Sequence, residues 1–162
     1  MTWLRLASTV ALGMLAACGD NAFTSDEGRF SVRMPNAPQH QVITIDPADP
    51  TPMHLFTAQR GTTAYMVAFA DIPVDGRKAG EVLDGARDNA LKRPGRTLLA
   101  ERSLSLGSNP GRELEIAAPN DLLLRVRVFL VGARLYQVAV TTRDKNVLAT
   151  DGAKFLESFK VF

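Results

Sequence analysis

Four consecutive segments in the second half of the chain have the spacing and composition of β-strands, and they constrain the fold more than any other feature. Short runs containing Gly, Pro or Asn separate them, which is typical of hairpin connections. The sequence therefore predicts an antiparallel meander. Its four strands are predicted over residues 97–106, 112–118, 122–131 and 134–142.

The second and third of these segments specify their own register. Pairing Glu113 with Arg127 brings opposite charges together on one face, and the same register pairs aliphatic residues on the other face. We expect a charge ladder in solvent, and we expect Val126 and Val128 to be buried. The predicted pairs are Glu113 with Arg127, Glu115 with Arg125, Leu114 with Val126, Ile116 with Leu124, Leu130 with Leu135, and Phe129 with Tyr136.

The rest of the chain supplies further strands and two helices. Strands are predicted over residues 28–35, 41–45, 53–60 and 62–71, with a proline-rich loop between the second and third. Helical spacing of apolar residues predicts a helix from Ala79 to Arg93, stopped by Pro94. A second helix is predicted after residue 142, with Asp144 as its cap and Gly152 allowing close packing.

An export signal is predicted at the N-terminus. Arg5 supplies one positive charge, an apolar run covers residues 6–17, and small residues precede a cleavage site. The run is shorter than the about 20 residues that a membrane span needs, so it targets the chain and does not anchor it. We therefore predict a signal peptide over residues 1–17.

The only cysteine of the chain directly follows this signal. It lies in a motif that resembles the lipobox of bacterial lipoproteins, formed here by Leu15, Ala16, Ala17, Cys18 and Gly19. The resemblance implies cleavage before Cys18, a diacylglyceryl group on its thiol, and acylation of the new amino group, for instance by palmitate. Two other interpretations remain open: a buried N-terminal helix with Cys18 in the core, and an ordinary secretory signal with an incidental cysteine.

Length, charge and cysteine content indicate how many domains follow the signal and which partners and sites they can have. Residues 18–27 are predicted to be a lipidated cysteine and short tether, and residues 28–162 are enough for one domain. A net charge of +2 with both signs interspersed excludes a nucleic-acid partner. Once Cys18 is lipidated, no thiol is left for a disulfide, a nucleophile or a cysteine metal site. The lipid-bearing protein is expected in the bacterial cell envelope, facing the periplasm or exterior.

No catalytic, cofactor or metal site is predicted. His40 is assigned to a loop and His54 to a strand, both as solvated histidines, because the chain lacks zinc-protease spacing. No serine lies in a nucleophile elbow. Asp46 and Asp49, or Asp71 and Asp75, could in principle share a calcium ion. Neither pair has the spacing of an EF-hand loop, and both are assigned to turns.

The order of elements resembles that of PsbP-like domains. The segments that carry the resemblance are residues 28–35, 129–132, 135–138 and 155–159, together with the predicted helix in mid-chain. The resemblance implies an α+β fold, an α/β/α sandwich around a central antiparallel sheet. Members of this family act mostly through protein contacts, in photosystem assembly, as envelope lipoproteins or as secretion chaperones.

Together these features predict a lipid-anchored envelope protein that acts as a non-enzymatic protein-binding or assembly module. Its expected partners are membrane lipid through acylated Cys18 and an envelope protein whose identity the sequence does not indicate. A small-ligand or lipid carrier with a cleft between sheet and helix is the alternative. A hydrolase is third.

Overall fold

A computed structural model describes residues 22–46 and 49–162 of the chain. The predicted signal peptide and the lipobox with Cys18 lie outside the described residues. The strands are β1 (Ala22–Ser25), β2 (Phe30–Arg33), β3 (Gln39–Asp46), β4 (Asp49–Arg60), β5 (Thr63–Asp71), β6 (Thr97–Leu106), β7 (Asn109–Ala118), β8 (Leu122–Val131), β9 (Arg134–Thr142) and β10 (Lys160–Val161). The helices are α1 (Ala79–Leu91), α2 (Lys145–Val147) and α3 (Ala153–Glu157), with a π-helical stretch, Leu148–Gly152, joining the last two.

Seven strands form one antiparallel sheet in the order β3, β4, β5, β9, β8, β7, β6. The meander prediction is confirmed, because β6 to β9 pair consecutively. Its register is also confirmed: Glu113 lies opposite Arg127, and Phe129 lies opposite Tyr136. A second, three-stranded sheet has the order β1, β2, β10.

The two faces of the main sheet carry separate hydrophobic cores. On one face, Val138 and its neighbours pack with Phe30 of β2 and Phe155 of α3. On the other face, Val126 packs with Val82 of α1. Helices therefore lie on both sides of the sheet, but they are short, so the molecule is mainly β with some α and only roughly matches the predicted α+β class. None of the helices in the described part of the chain has the length and apolar character needed to cross a membrane.

The C-terminal helical segment confirms two local predictions. Asp144 caps it, since its Oδ1 accepts hydrogen bonds from the backbone N–H groups of Asn146 at 2.8 Å and Val147 at 3.3 Å. A Cβ at Gly152 would lie 3.2 Å from the carbonyl oxygen of Val147 and 3.3 Å from Cγ1 of Val140. Glycine therefore allows this segment to pack closely on β9.

The N-terminal part of the domain differs from the sequence prediction. Ala22–Ser25 form β1, which pairs with β2, so the domain begins inside the segment predicted to be a tether. The hairpin of β3 and β4 is also longer than predicted. A proline has no backbone N–H to donate to a neighbouring strand. Pro50 and Pro52 are tolerated because that end of β4 pairs with β3 on one side and with no described strand on the other.

Gly111 is required by a close approach across the meander. A Cβ at this position would lie 2.5 Å from the ring of Phe129 and 2.6 Å from the backbone oxygen of Val128. We expect Gly111→Ala to lower the free energy of unfolding by about 1–3 kcal/mol, the usual cost of overpacking. Gly85→Ala is the matched control, because Gly85 lies inside α1 with nothing within 4 Å of an added Cβ. That variant should gain up to about 1 kcal/mol, and urea unfolding of both proteins measures the difference.

Candidate functional site

Two imidazoles and a carboxylate meet on the outer part of the main sheet. His40 lies on β3, His54 on β4, and Glu27 in the turn between β1 and β2. Nε2 of His40 is 3.2 Å from Nδ1 of His54, which is 3.4 Å from Oε2 of Glu27. One nitrogen or oxygen from each of the three residues lies within 4.8 Å of the other two.

The hairpin register brings the histidines together. His40 lies opposite Phe56, and Val42 lies opposite His54, so the imidazoles are diagonal neighbours on one face. His40 is exposed, as predicted, but it lies in a strand and not in a loop, and the prediction of a solvated histidine is wrong for His54. The side chain of His54 is only 17% exposed, whereas that of Glu27 is 59% exposed. The sequence prediction missed this pairing, because it assigned His40 to a loop and began the strand at residue 41, whereas β3 begins at Gln39.

Aromatic stacking fixes the planes of both imidazoles. The ring of His40 stacks on that of Phe56 with centroids 4.3 Å apart and an interplanar angle of 1°. The ring of His54 stacks on that of Phe69 at 4.5 Å and 6°. Because both phenylalanines belong to the core between the two sheets, the imidazoles rest on a rigid base.

The turn that carries Glu27 is held by hydrogen bonds from distant strands. The hydroxyl of Tyr136 donates to the carbonyl of Gly28 at 2.7 Å, and Nη1 of Arg134 donates to the carbonyl of Glu27 at 2.8 Å. A Cβ at Gly28 would lie 2.5 Å from the ring of Phe30. The backbone beside Glu27 is therefore positioned by β9 and by the core, and not by the turn alone.

Arg134 also sets the electrostatics beside this cluster. Its Nε and Nη2 each donate to the carboxylate of Asp71 at 2.7 Å, and its guanidinium lies 4.6 Å from the ring centroid of Phe69. The hydrogen bond from Arg134 holds the pKa of Asp71 below its usual value, and burial raises the pKa of Tyr136. Asp71, predicted to be a turn residue, is thus one half of an ion pair next to His54.

A second charged cluster lies on β6, β7 and β8. Glu113 is 4% exposed and accepts hydrogen bonds from Arg127 Nε at 2.6 Å and from Arg102 Nε at 2.9 Å. Burial alone would raise the pKa of Glu113, but these hydrogen bonds hold it below its usual value. The predicted register is right, while the prediction of a solvated ladder is wrong at Glu113. Arg127 and Arg102 are both engaged in ion pairs with Glu113, which favours a structural role.

The carrier alternative needs a cleft between sheet and helix, and the described residues fill that space. Val82, Leu83 and Ala86 of α1 are buried against the sheet. An open groove of about 490 Å³ lies elsewhere, at the start of the domain, between Ala22 and Phe23 on one side and residues 34–38 on the other. The described residues that line it include no titratable side chain, so the groove offers apolar contact and no acid–base chemistry.

One solved structure confirms a PsbP-like fold. The solution structure of cyanobacterial PsbP (CyanoP) from Synechocystis sp. PCC 6803 is similar with a TM-score of 0.58 and 14% sequence identity, over 93% of this chain and 99% of that chain. A Pseudomonas aeruginosa protein of unknown function, PA94, is similar over 70% of this chain and 90% of its own, with a TM-score of 0.49 and 13% identity. At this identity the likeness to CyanoP is one of fold. No protein-family model matches the sequence, and no curated protein does.

Proposed function

We propose that this protein is a bacterial lipoprotein whose PsbP-like domain is a non-enzymatic binding or assembly module, held at an envelope membrane by acylated Cys18. The observation that carries the proposal is the distance between the lipobox and the domain. Cys18 precedes Ala22, the first residue of β1, by four positions. Four residues span at most about 14 Å, so the lipid would hold the domain directly against the bilayer surface.

The strand that follows the predicted lipidation site is a well-packed part of the domain. All four residues of β1 pair with β2, and the ring of Phe23 lies 5.3 Å from that of Phe56 and 6.0 Å from that of Phe30. A lipid on Cys18 would therefore restrict the whole domain, and not a loose terminus. This arrangement favours a function that depends on staying close to a membrane-bound partner.

Replacing Cys18 tests the anchor. Cells given radiolabelled palmitate should label the wild-type protein, and the Cys18→Ser variant should stay unlabelled and leave the membrane fraction, because the chain has no second cysteine. At least two acyl chains are needed for durable attachment, since one chain alone binds membranes only marginally. Equal labelling of the two proteins would refute lipidation at this position.

The outermost strand β3 is the surface we assign to partner binding. Among the described residues β3 forms one edge of the main sheet, and it carries Val42, 56% exposed, and Ile43, 39% exposed. Edge strands offer unpaired backbone groups to which a partner strand can add, and the two apolar side chains would contact it on either face. β3 directly follows residues 34–38, which line the groove together with Ala22, so this edge strand begins near the start of the described chain.

A photo-crosslinking amino acid at position 42 tests this surface in intact cells. Leu99 on β6, the opposite edge of the sheet, is the matched control because it is also apolar and 56% exposed. We expect a discrete protein adduct from position 42 of the lipidated protein and none from position 99. Adducts with lipid alone, or equal protein adducts at both positions, would contradict a binding module that uses β3.

The contacts of the imidazoles support a non-enzymatic function over hydrolysis. His40 and His54 contact each other, two phenyl rings and the carboxylate of Glu27. None of these is the serine that a hydrolytic triad requires. The filled space between α1 and the sheet likewise favours a binding module over a carrier.

A further inference from the structure

We propose that Glu27, His40 and His54 form a binding site for a divalent late first-row transition metal, with Zn²⁺ the ion that the donors fit best. The site is independent of the lipid anchor, since all three ligands belong to the folded domain. It gives the chain a metal centre at the edge of the sheet that its sequence pattern does not reveal.

The two donor separations that involve His54 match those of a zinc coordination shell. Zn²⁺ binds imidazole nitrogen at about 2.0–2.1 Å and carboxylate oxygen at about 2.0–2.2 Å with tetrahedral angles, which places neighbouring ligand atoms about 3.3–3.5 Å apart. Nε2 of His40 and Nδ1 of His54 are 3.2 Å apart, and Nδ1 of His54 and Oε2 of Glu27 are 3.4 Å apart. One donor atom from each of the three residues lies within 4.8 Å of the other two, so side-chain rotation without strand movement would place all three around one ion.

The chemistry of the donors selects the class of ion. Two imidazoles and one carboxylate suit Zn²⁺ and its late first-row neighbours, whereas Ca²⁺ and Mg²⁺ prefer oxygen ligands throughout. Three protein ligands leave the fourth tetrahedral position for water or for a donor from a partner. The exposed carboxylate of Glu27 lies on the solvent side and gives an ion its route of entry.

The surroundings of the three ligands are arranged to hold them in place. Phe56 and Phe69 stack on the two imidazoles, and Arg134 and Tyr136 hold the turn that carries Glu27. Such outer contacts orient ligands and reduce the entropy lost when a metal binds. The alternative is a hydrogen bond between the two imidazoles with Glu27 paired to His54, which accounts for the same contacts without a metal ion.

Titration of the full-length, lipidated protein separates the two explanations. The protein is purified in detergent through a tag without histidine, stripped with a chelator and titrated with Zn²⁺ in a calorimeter. We expect one ion per chain. His40→Gln and His54→Gln should each weaken binding at least about 100-fold, and Glu27→Gln at least about 10-fold.

Asp26→Asn is the matched control, because it removes the same charge from the neighbouring exposed position of the same turn. Asp26→Asn should leave the affinity for Zn²⁺ unchanged. It should also leave the visible spectrum of the Co²⁺-loaded protein unchanged, whereas Glu27→Gln should alter that spectrum. If a histidine variant fails to fold, the comparison of Glu27→Gln with Asp26→Asn still shows whether Glu27 binds the ion. Absence of stoichiometric Zn²⁺ binding, or equal effects of those two substitutions, would overturn the proposal.

Discussion

Val128→Asp is expected to prevent folding altogether. Val128 is 1% exposed in β8 and packs in the hydrophobic core beneath α1. Arg112 lies opposite it on β7, but its guanidinium is already paired with Asp84 and Glu101. An isolated buried charge costs several kcal/mol or more, which is comparable to the about 5–15 kcal/mol that stabilises an ordinary domain. Far-UV circular dichroism and urea unfolding should show no cooperative transition.

Val42→Asp is the matched control for this substitution. The same side chain is exchanged on the same sheet, but Val42 is 56% exposed on the edge strand. Its free energy of unfolding should stay within about 1 kcal/mol of wild type. If the Val128→Asp protein unfolds cooperatively with the same urea midpoint as the Val42→Asp protein, the assignment of the central sheet is wrong.

Removing the buried carboxylate of β7 should have the next largest effect. Glu113→Gln leaves Arg127, whose side chain is 16% exposed, without its anionic partner, and weakens the hydrogen bonds from Arg102. Breaking a buried ion pair by removing one member costs about 3–5 kcal/mol. Glu115→Gln is the control on the same strand, because the side chain of Glu115 is 39% exposed and its pair with Arg125 should contribute about 0–1 kcal/mol.

Glu113→Gln should also change how the stability of the protein responds to acid. Hydrogen bonds from Arg127 and Arg102 hold the pKa of Glu113 in the folded protein below its ordinary value, despite burial. Glu113 therefore stabilises the fold at neutral pH, and this contribution is lost as the pH falls from about 4.5 through the lower pKa of the folded state. Stability measured from pH 7 down to pH 3 should fall less steeply in Glu113→Gln than in wild type. An identical slope in both would mean that Glu113 is not the charged group of this cluster.

The meander was predictable because two independent kinds of pairing agree on one register. Opposite charges at Glu113 and Arg127 and aliphatic residues at Leu114 and Val126 all meet in the same alignment, and slipping by one residue would bring none of them together. The burial of Glu113 was not predictable from this alternation. It depends on Arg102 of the neighbouring strand β6, whose side chain lies over the carboxylate while remaining 67% exposed.

The candidate metal site was missed because local turn signals concealed a long hairpin. The prolines at positions 47, 50 and 52 predict a loop, yet strand pairing continues up to Asp46 and Asp49. This longer hairpin sets position 40 opposite 56 and position 42 opposite 54, which makes the two histidines neighbours. The third ligand, Glu27, comes from a turn that only tertiary contacts with β9 bring to this hairpin.

The start of the domain was missed for a related reason. Ala22–Ser25 have one large apolar residue, Phe23, and are too short to show an alternation. They form a strand because β2 pairs with them and because Phe23 packs against Phe56. The consequence for function is direct, since the folded domain begins only four positions after the predicted lipid.

The mass of the N-terminal peptide of the protein recovered from membranes tests lipid attachment most directly. We predict a chain that begins at Cys18, carries a diacylglyceryl group on the sulfur and is acylated on the new amino group. A chain that retains residues 1–17, or one that begins elsewhere with the thiol of Cys18 unmodified, would contradict lipid anchoring.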